Sequence, residues 1–146
     1  MRVALGCDHR GLGIKRAIME FLGTLNHGYH DFGSYGGDSV DYPDIAQKVA
    51  DAVASGEYDQ GILICSTGIG MSMAANKIRG IRAALCCDAF AARRARQHND
   101  ANVLCLRGEN IEVKSALEIV EAYLSSNFEG GRHIPRLRKI EALEAD

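Results

Sequence analysis

GILICSTGIGMSMAANK, residues 61–77, is the stretch whose reading decides the fold. Gly61 to Ile64 run straight into Cys65. A short apolar run closed by turn-forming residues reads as a buried strand. Ser66, Thr67, Gly68 and Gly70 follow, and then a small, apolar, helix-like segment. Strand, small-residue loop and helix in that order form the repeating unit of a parallel α/β sheet. The unit also raises a chemical question. A thiol is expected at the end of a buried strand, against a loop whose backbone N–H groups are free.

The alternation continues in both directions. Residues 2–8 read as a first strand, and 12–25 as a helix with Ile14, Ala17, Ile18, Phe21, Leu22 and Leu25 on one face. Residues 28–33 form a weaker strand, ended by a loop holding Gly36 and Gly37. Pro43 opens a helix with Ile45, Ala46, Val49, Ala50 and Val53 on one side. After the helix that holds Ala74, Ala75 and Ile78, residues 81–87 read as the fourth strand. Residues 89–97 read as a helix, 102–106 as the fifth strand and 112–125 as another helix. The third, fourth and fifth strands are apolar on both faces, which suits a sheet covered by helices on each side. The fold expected is a single-domain, doubly wound, Rossmann-like α/β protein over residues 1–146, with a five-stranded parallel sheet. A C-terminal helical tail, about residues 128–146, follows; Pro135 starts a short helix there, carrying Leu137, Ile140 and Leu143 toward a partner subunit.

Composition excludes several functions. With 146 residues, 47% apolar and 25% charged, the chain has the balance of one globular domain. A net charge of −2 gives no reason to expect nucleic-acid or membrane binding. No apolar run reaches the ~18 residues of a membrane span, and the N-terminus is no signal peptide. The five cysteines are odd in number and never spaced C-x-x-C, so neither a disulfide framework nor a zinc site is expected. They read as small buried hydrophobes of a cytoplasmic protein, Cys65 excepted.

In a doubly wound sheet the ligand sits outside the carboxyl ends of the strands. That rule selects Asp8 and His9, residues 65–70, Asp88, and residues 107–110. The STGIG loop lacks the Gly-Lys-Ser/Thr ending of a P-loop and is not G-x-G-x-x-G, so a dinucleotide site is disfavoured. Its small residues still let backbone N–H groups face an anion. A thiol beside a helix N-terminus is more readily a thiolate, able to act as nucleophile or base. A base beside an oxyanion hole is what proton abstraction next to a carbonyl requires. Three weaker signals join it: Asp8-His9, then His98-Asn99-Asp100 before the fifth strand, then Arg132 and Arg136 four residues apart. Two arginine forks suit a phosphate. Each has a plain structural reading as well: a helix cap for Asp8, a solvated loop histidine, a solvated basic tail. Tyr42, before Pro43, suits packing or a turn as well as a ligand contact. All four signals are expected on one ligand edge.

The chain resembles the type B ribose-5-phosphate isomerases, in the superfamily shared with the galactose-6-phosphate isomerase subunits. The likeness rests on GCDHRG (6–11), SVDYPD (39–44), residues 61–77, GIRAAL (80–85), RQHNDANVL (96–104) and FEGGRHIPR (128–136). The resemblance implies aldose–ketose isomerisation of a small phosphorylated sugar through a cis-enediolate, with no metal and no cofactor. It assigns Cys65 as the base and Thr67 to proton movement between the two oxygens. The N–H groups of Ser66, Thr67, Gly68, Ile69 and Gly70 would hold the enediolate oxygen. His98 would open the furanose ring with Asp8 assisting and Tyr42 nearby. His9, Arg132 and Arg136 would hold the phosphate, and Asn99 a sugar hydroxyl. It also implies a homodimer or homotetramer with active sites shared between subunits.

Two departures stand out. Ser66 occupies a position where the family usually has Gly. After the fifth strand, where the family commonly carries a phosphate-side arginine, this chain has Glu109 and Asn110, with Arg107 as the nearby substitute. Other readings stay open: the same chemistry on galactose-6-phosphate, allose-6-phosphate or a tetrulose phosphate, or a non-catalytic phosphosugar-binding module. A thiol redox protein is disfavoured, because adjacent Cys86 and Cys87 in a strand point to opposite faces.

Overall fold

The structure is a computed structural model that describes residues 1–144; residues 145 and 146, the end of the expected tail, lie outside the described residues. Five strands alternate with helices: β1 (Arg2–Cys7), α1 (Leu12–Thr24), β2 (Gly28–Asp31), α2 (Tyr42–Ala54), β3 (Gln60–Cys65), α3 (Ile69–Ala75), β4 (Ala83–Leu85), α4 (Ala89–Asn99), β5 (Val103–Arg107), α5 (Val113–Leu124) and α6 (His133–Ala142). The sheet order is β2-β1-β3-β5-β4 and every pairing is parallel. This is the Rossmann-like α/β architecture expected from the alternation. Cys7 pairs with Ile64 and Cys65 with Arg107, so β1, β3 and β5 end level with one another. Their carboxyl ends open onto one edge, where Asp8, Ser66 and Gly108 leave the sheet.

Strand period 2 divides the core in two. Val3, Leu5, Ile62, Ile64, Leu104 and Leu106 face α1, α4 and α5. Ala4, Leu63, Cys65, Val103 and Cys105 face α2 and α3. The apolar runs of β3 and β5 are thus explained by cover on both faces, each large aliphatic side chain contributing about 1.5–3 kcal/mol by burial. Among the described residues no helix is long and apolar enough to cross a membrane.

Three expectations need correction. The fourth strand is only Ala83–Leu85, not 81–87, and it is not covered on both faces. It lies at the sheet edge because β5 inserts between it and β3. Apolar runs reveal burial but not strand order. Second, Cys87 is exposed, since it follows this edge strand; Cys86 beside it is buried. Third, α1 buries Lys15 among its apolar residues, while Leu25 at its end is exposed. The Lys15 ammonium donates to Asp31 Oδ1 at 2.7 Å and to the Ser34 carbonyl, so a buried charge is paired where β2 ends.

Candidate active site

The β3–α3 loop is shaped around the sulfur. Cys65 is buried, and its Sγ accepts the Gly68 N–H at 3.2 Å. Gly68 has φ +80, and a Cβ there would lie 2.6 Å from Leu85 Cδ1 and 2.9 Å from the Leu106 carbonyl carbon. Only glycine can bring this N–H back to the sulfur. Thr67 Oγ1 accepts the Ile69 N–H at 3.1 Å, and the Thr67 side chain stays exposed above the loop. The first four N–H groups of a helix have no partner inside it. With those of Gly68 and Ile69 taken, the Gly70 and Met71 N–H groups have no partner among the described residues. The Tyr42 ring closes over Gly70, where a Cβ would stand 2.5 Å from it. Ser66 is half-buried, and its carbonyl accepts the Glu109 N–H at 3.4 Å; the Gly108 N–H donates to the Cys65 carbonyl at 2.7 Å. The end of β5 is therefore tied to the cysteine loop.

Three of the other thiols, those of Cys7, Cys86 and Cys105, are poorly suited to ionise. Burial pushes Cys7 up, Cys86 up to about 12, and the fully buried Cys105 higher still.

Next to the loop, Asp8 is buried and accepts the Arg10 N–H at 2.9 Å. It does not cap α1, whose N-cap is Gly11. His9 Nδ1 accepts the Val40 N–H at 3.3 Å, which makes Nε2 the protonated, outward donor when the ring is neutral. Arg10, which sequence reasoning passed over, pairs with Glu109 at 3.1 Å, and Arg107 Nε donates to the Glu109 carbonyl at 2.9 Å. Asp88, also selected by the strand-end rule, is a helix cap: its Oδ1 accepts the Ala91 N–H at 2.7 Å.

The remaining expected residues lie at the other edge. From Asp88 the 11 residues of α4 run back antiparallel to the strands, about 16 Å at 1.5 Å per residue. His98 and Asn99 therefore sit by the amino ends of the sheet, close to where Val103 pairs with Gly61 and Ala83. Asp100, held by Arg82 and Arg96, turns the chain with φ 45. The segment after α5 returns to the same place, the Glu129 N–H donating to the Gln97 carbonyl at 3.0 Å. Arg132 occupies the N-cap position of α6 without a capping bond from its side chain, and Arg136 follows one turn on; both are exposed, and neither has a carboxylate partner among the described residues. Pro135 fits the first turn of α6.

The expectation of one ligand edge is thus corrected for a single chain. Asp8, His9, Tyr42 and residues 65–70 come together at the carboxyl edge, while His98, Asn99, Arg132 and Arg136 gather at the amino edge. The reason is directional: a crossover helix returns antiparallel to the strands it joins, so its C-terminus lands opposite the strand ends. Two further residues were missed there, Glu129 and His133. Both lie inside the FEGGRHIPR block, but nothing in spacing distinguishes a buried histidine from a solvated one.

A thiol beside loop amides, at the carboxyl edge of a doubly wound sheet, is an arrangement that can serve proton abstraction next to a carbonyl. Comparison supplies the family. The profile described as Ribose/Galactose Isomerase matches residues 3–140, and the chain belongs to that family. It is 45% identical to ribose-5-phosphate isomerase B of Escherichia coli over 143 residues, 98% of this chain and 96% of that one. Among solved structures it resembles ribose-5-phosphate isomerase B of Clostridium thermocellum, with TM-score 0.97 and 49% identity over 99% of this chain and 97% of that one. The Mycoplasma genitalium enzyme with bound ribulose-5-phosphate matches with TM-score 0.94 and 44% identity, over 98% of this chain and 95% of that one.

Proposed function

We propose that the chain interconverts ribose 5-phosphate and ribulose 5-phosphate through a cis-enediolate, with Cys65 as the base. The observation that carries the reading is the Cys65 sulfur, held by the Gly68 N–H at 3.2 Å beneath a loop with amides to spare. His98, with Asp8, opens the furanose ring. The Cys65 thiolate takes the C2 proton; the electron pair passes into the enediolate, whose oxygen receives hydrogen bonds from those N–H groups of residues 66–70 that are not bonded within the loop, Gly70 among them. Thr67 carries a proton between the two oxygens, and Cys65 returns its proton to C1 to give the ketose. His9, Arg132 and Arg136 hold the phosphate, Asn99 holds a hydroxyl, and Tyr42 walls the pocket.

Because the two groups of residues lie at opposite edges of one sheet, this chemistry requires a second copy that brings its amino edge to the first copy's carboxyl edge. We infer a homodimer, or a homotetramer made of two such dimers, built from one isomerase domain per chain. Support comes from the tail: Ile134 and Ile140 on α6, and Leu143 just after it, are exposed and offer an apolar surface for a partner subunit. Five unpaired thiols accord with a cytoplasmic setting.

The test is conversion of ribose 5-phosphate in EDTA by the wild type and by Cys65→Ala. Turnover by the wild type and a loss of about 10³-fold or more in the variant is expected. Equal turnover by both would remove Cys65 from the mechanism. A second reading, another sugar phosphate as the preferred substrate, is favoured by one observation. Glu109 engages both Arg10 and Arg107 and leaves the carboxyl edge with fewer free cations. A higher kcat/KM on galactose 6-phosphate or allose 6-phosphate than on ribose 5-phosphate would select it.

A further inference from the structure

The amino edge holds a cluster of which the reading above uses only His98. The rings of His98 and His133 stack with centroids 4.3 Å apart and planes 19° from parallel. Glu129 Oε1 lies 3.6 Å from Nε2 of each ring. His133 is only 7% exposed, with Phe128 tilted against it at 6.4 Å. Its backbone N–H donates to the Gly130 carbonyl at 3.2 Å, and Glu129 is tied to α4 through Gln97. Three segments thus fix three titratable side chains: the end of α4, the link after α5, and the first turn of α6.

Two protonated imidazoles face to face at this distance repel each other, whereas one proton on the pair is balanced by the carboxylate between them. The trio is a poor cage for a divalent ion in this arrangement. Imidazole lone pairs lie in the ring plane, and two nearly parallel rings cannot both aim at one ion with the convergence a tetrahedral site needs.

We propose that Glu129 and His133 are positioning residues for His98: together they hold a single proton on the histidine pair and fix the plane of the His98 ring. The proposal rests on the reading in which His98 opens the sugar ring, and deepens it. The charged groups facing His98 are Arg94 on its own helix, Glu129 on the link, and Arg132 and His133 at the start of α6. Desolvation, then His133 and Arg94, hold its proton below the ordinary histidine range; Glu129 pulls the other way, and Arg132 adds to the lowering. Glu129 is thus the acidic group opposing three cationic neighbours.

The two partners act with opposite sign, and this makes the proposal testable. The full-length protein is titrated by NMR at the histidine rings as wild type, Glu129→Gln, Glu129→Asp and His133→Gln, and the pH profile of kcat on ribose 5-phosphate is measured for each. Glu129→Gln should move the His98 midpoint to lower pH by roughly half a unit or more, and Glu129→Asp by less. His133→Gln should move it to higher pH. The limb of the kcat profile that follows His98 should shift with it, while KM stays within about twofold. Glu129 is half exposed, so its variants are expected to fold even where the loss of buried His133 is not tolerated. A His98 midpoint unchanged in Glu129→Gln, or moved upward, overturns the proposal. A midpoint that moves as stated while the kcat profile stays fixed supports the shared proton and overturns ring opening by His98.

Discussion

The two edges of the sheet are built in different ways. At the carboxyl edge the working groups follow directly from strands β1 and β3, and the backbone holds them. The Gly68 N–H fixes the Cys65 sulfur, the Arg10 N–H holds Asp8, and the Val40 N–H holds His9. At the amino edge the groups are long side chains on helix ends, and they hold one another: His98 against His133, both near Glu129, with two exposed arginines beside them. The first edge offers a fixed thiol and loop amides; the second offers positive charge and an imidazole ring. Rigid backbone suits a step that develops charge on oxygen, because donors already in place need no reorganisation. Guanidinium forks suit a dianion that must be gripped and released.

The sharpest way to break this comparison is to inactivate each edge in a different chain. Cys65→Ala should lose about 10³-fold or more and His98→Asn about 10²-fold or more in kcat. Dimers re-formed from an equal mixture should recover about a quarter of wild-type activity, since half would be mixed and each mixed dimer keeps one intact site. No recovery on mixing, after proven subunit exchange, would mean that the two edges do not meet between chains. Next in size, Arg132→Ala or Arg136→Ala should raise KM for ribose 5-phosphate roughly tenfold or more, as loss of a charge-assisted bond would. Neither variant should change the melting temperature much, because both side chains are exposed; an unchanged KM would return these arginines to the solvated tail.

A change confined to the carboxyl edge should act on both activity and folding. Gly68→Ala puts a Cβ on a left-handed backbone and within 2.6 Å of Leu85. It should cost about 1–3 kcal/mol in denaturant unfolding as well as activity. An unfolding midpoint equal to the wild type would show that the loop relaxes at no cost. The smallest effect concerns acid stability. Because the folded state holds the His98 proton less tightly than its ordinary value of 6.5, the unfolded chain binds that proton first as the pH falls. Stability should therefore decline as pH drops below about 6.5 and level off below the folded value. His98→Asn should flatten that part of the curve; an identical slope in the variant would assign the decline to other groups.

What could be read in the amino-acid order was local. Apolar runs of five or six residues, helical spacing and turn residues determined the alternation of strands and helices, and with it the doubly wound class. The small residues after Cys65 determined that a thiol would stand beside free amides, because a strand, a tight loop and a helix are specified by neighbours in sequence. Some features needed the tertiary structure. The insertion of β5 between β3 and β4 left β4 short and Cys87 exposed, and no property of residues 81–87 encodes which strand will lie beside them. Packing of α1 on the end of β2 turned Lys15 into a buried ion-paired group within an amphipathic helix. The return of α4 across the sheet carried His98 and Asn99 away from Cys65, and the stack with His133 arose where the chain after α5 came back to the same edge. Sequence spacing fixes what a residue's own element is. Only the packing of that element against others decides which edge, which partner and which charge it meets.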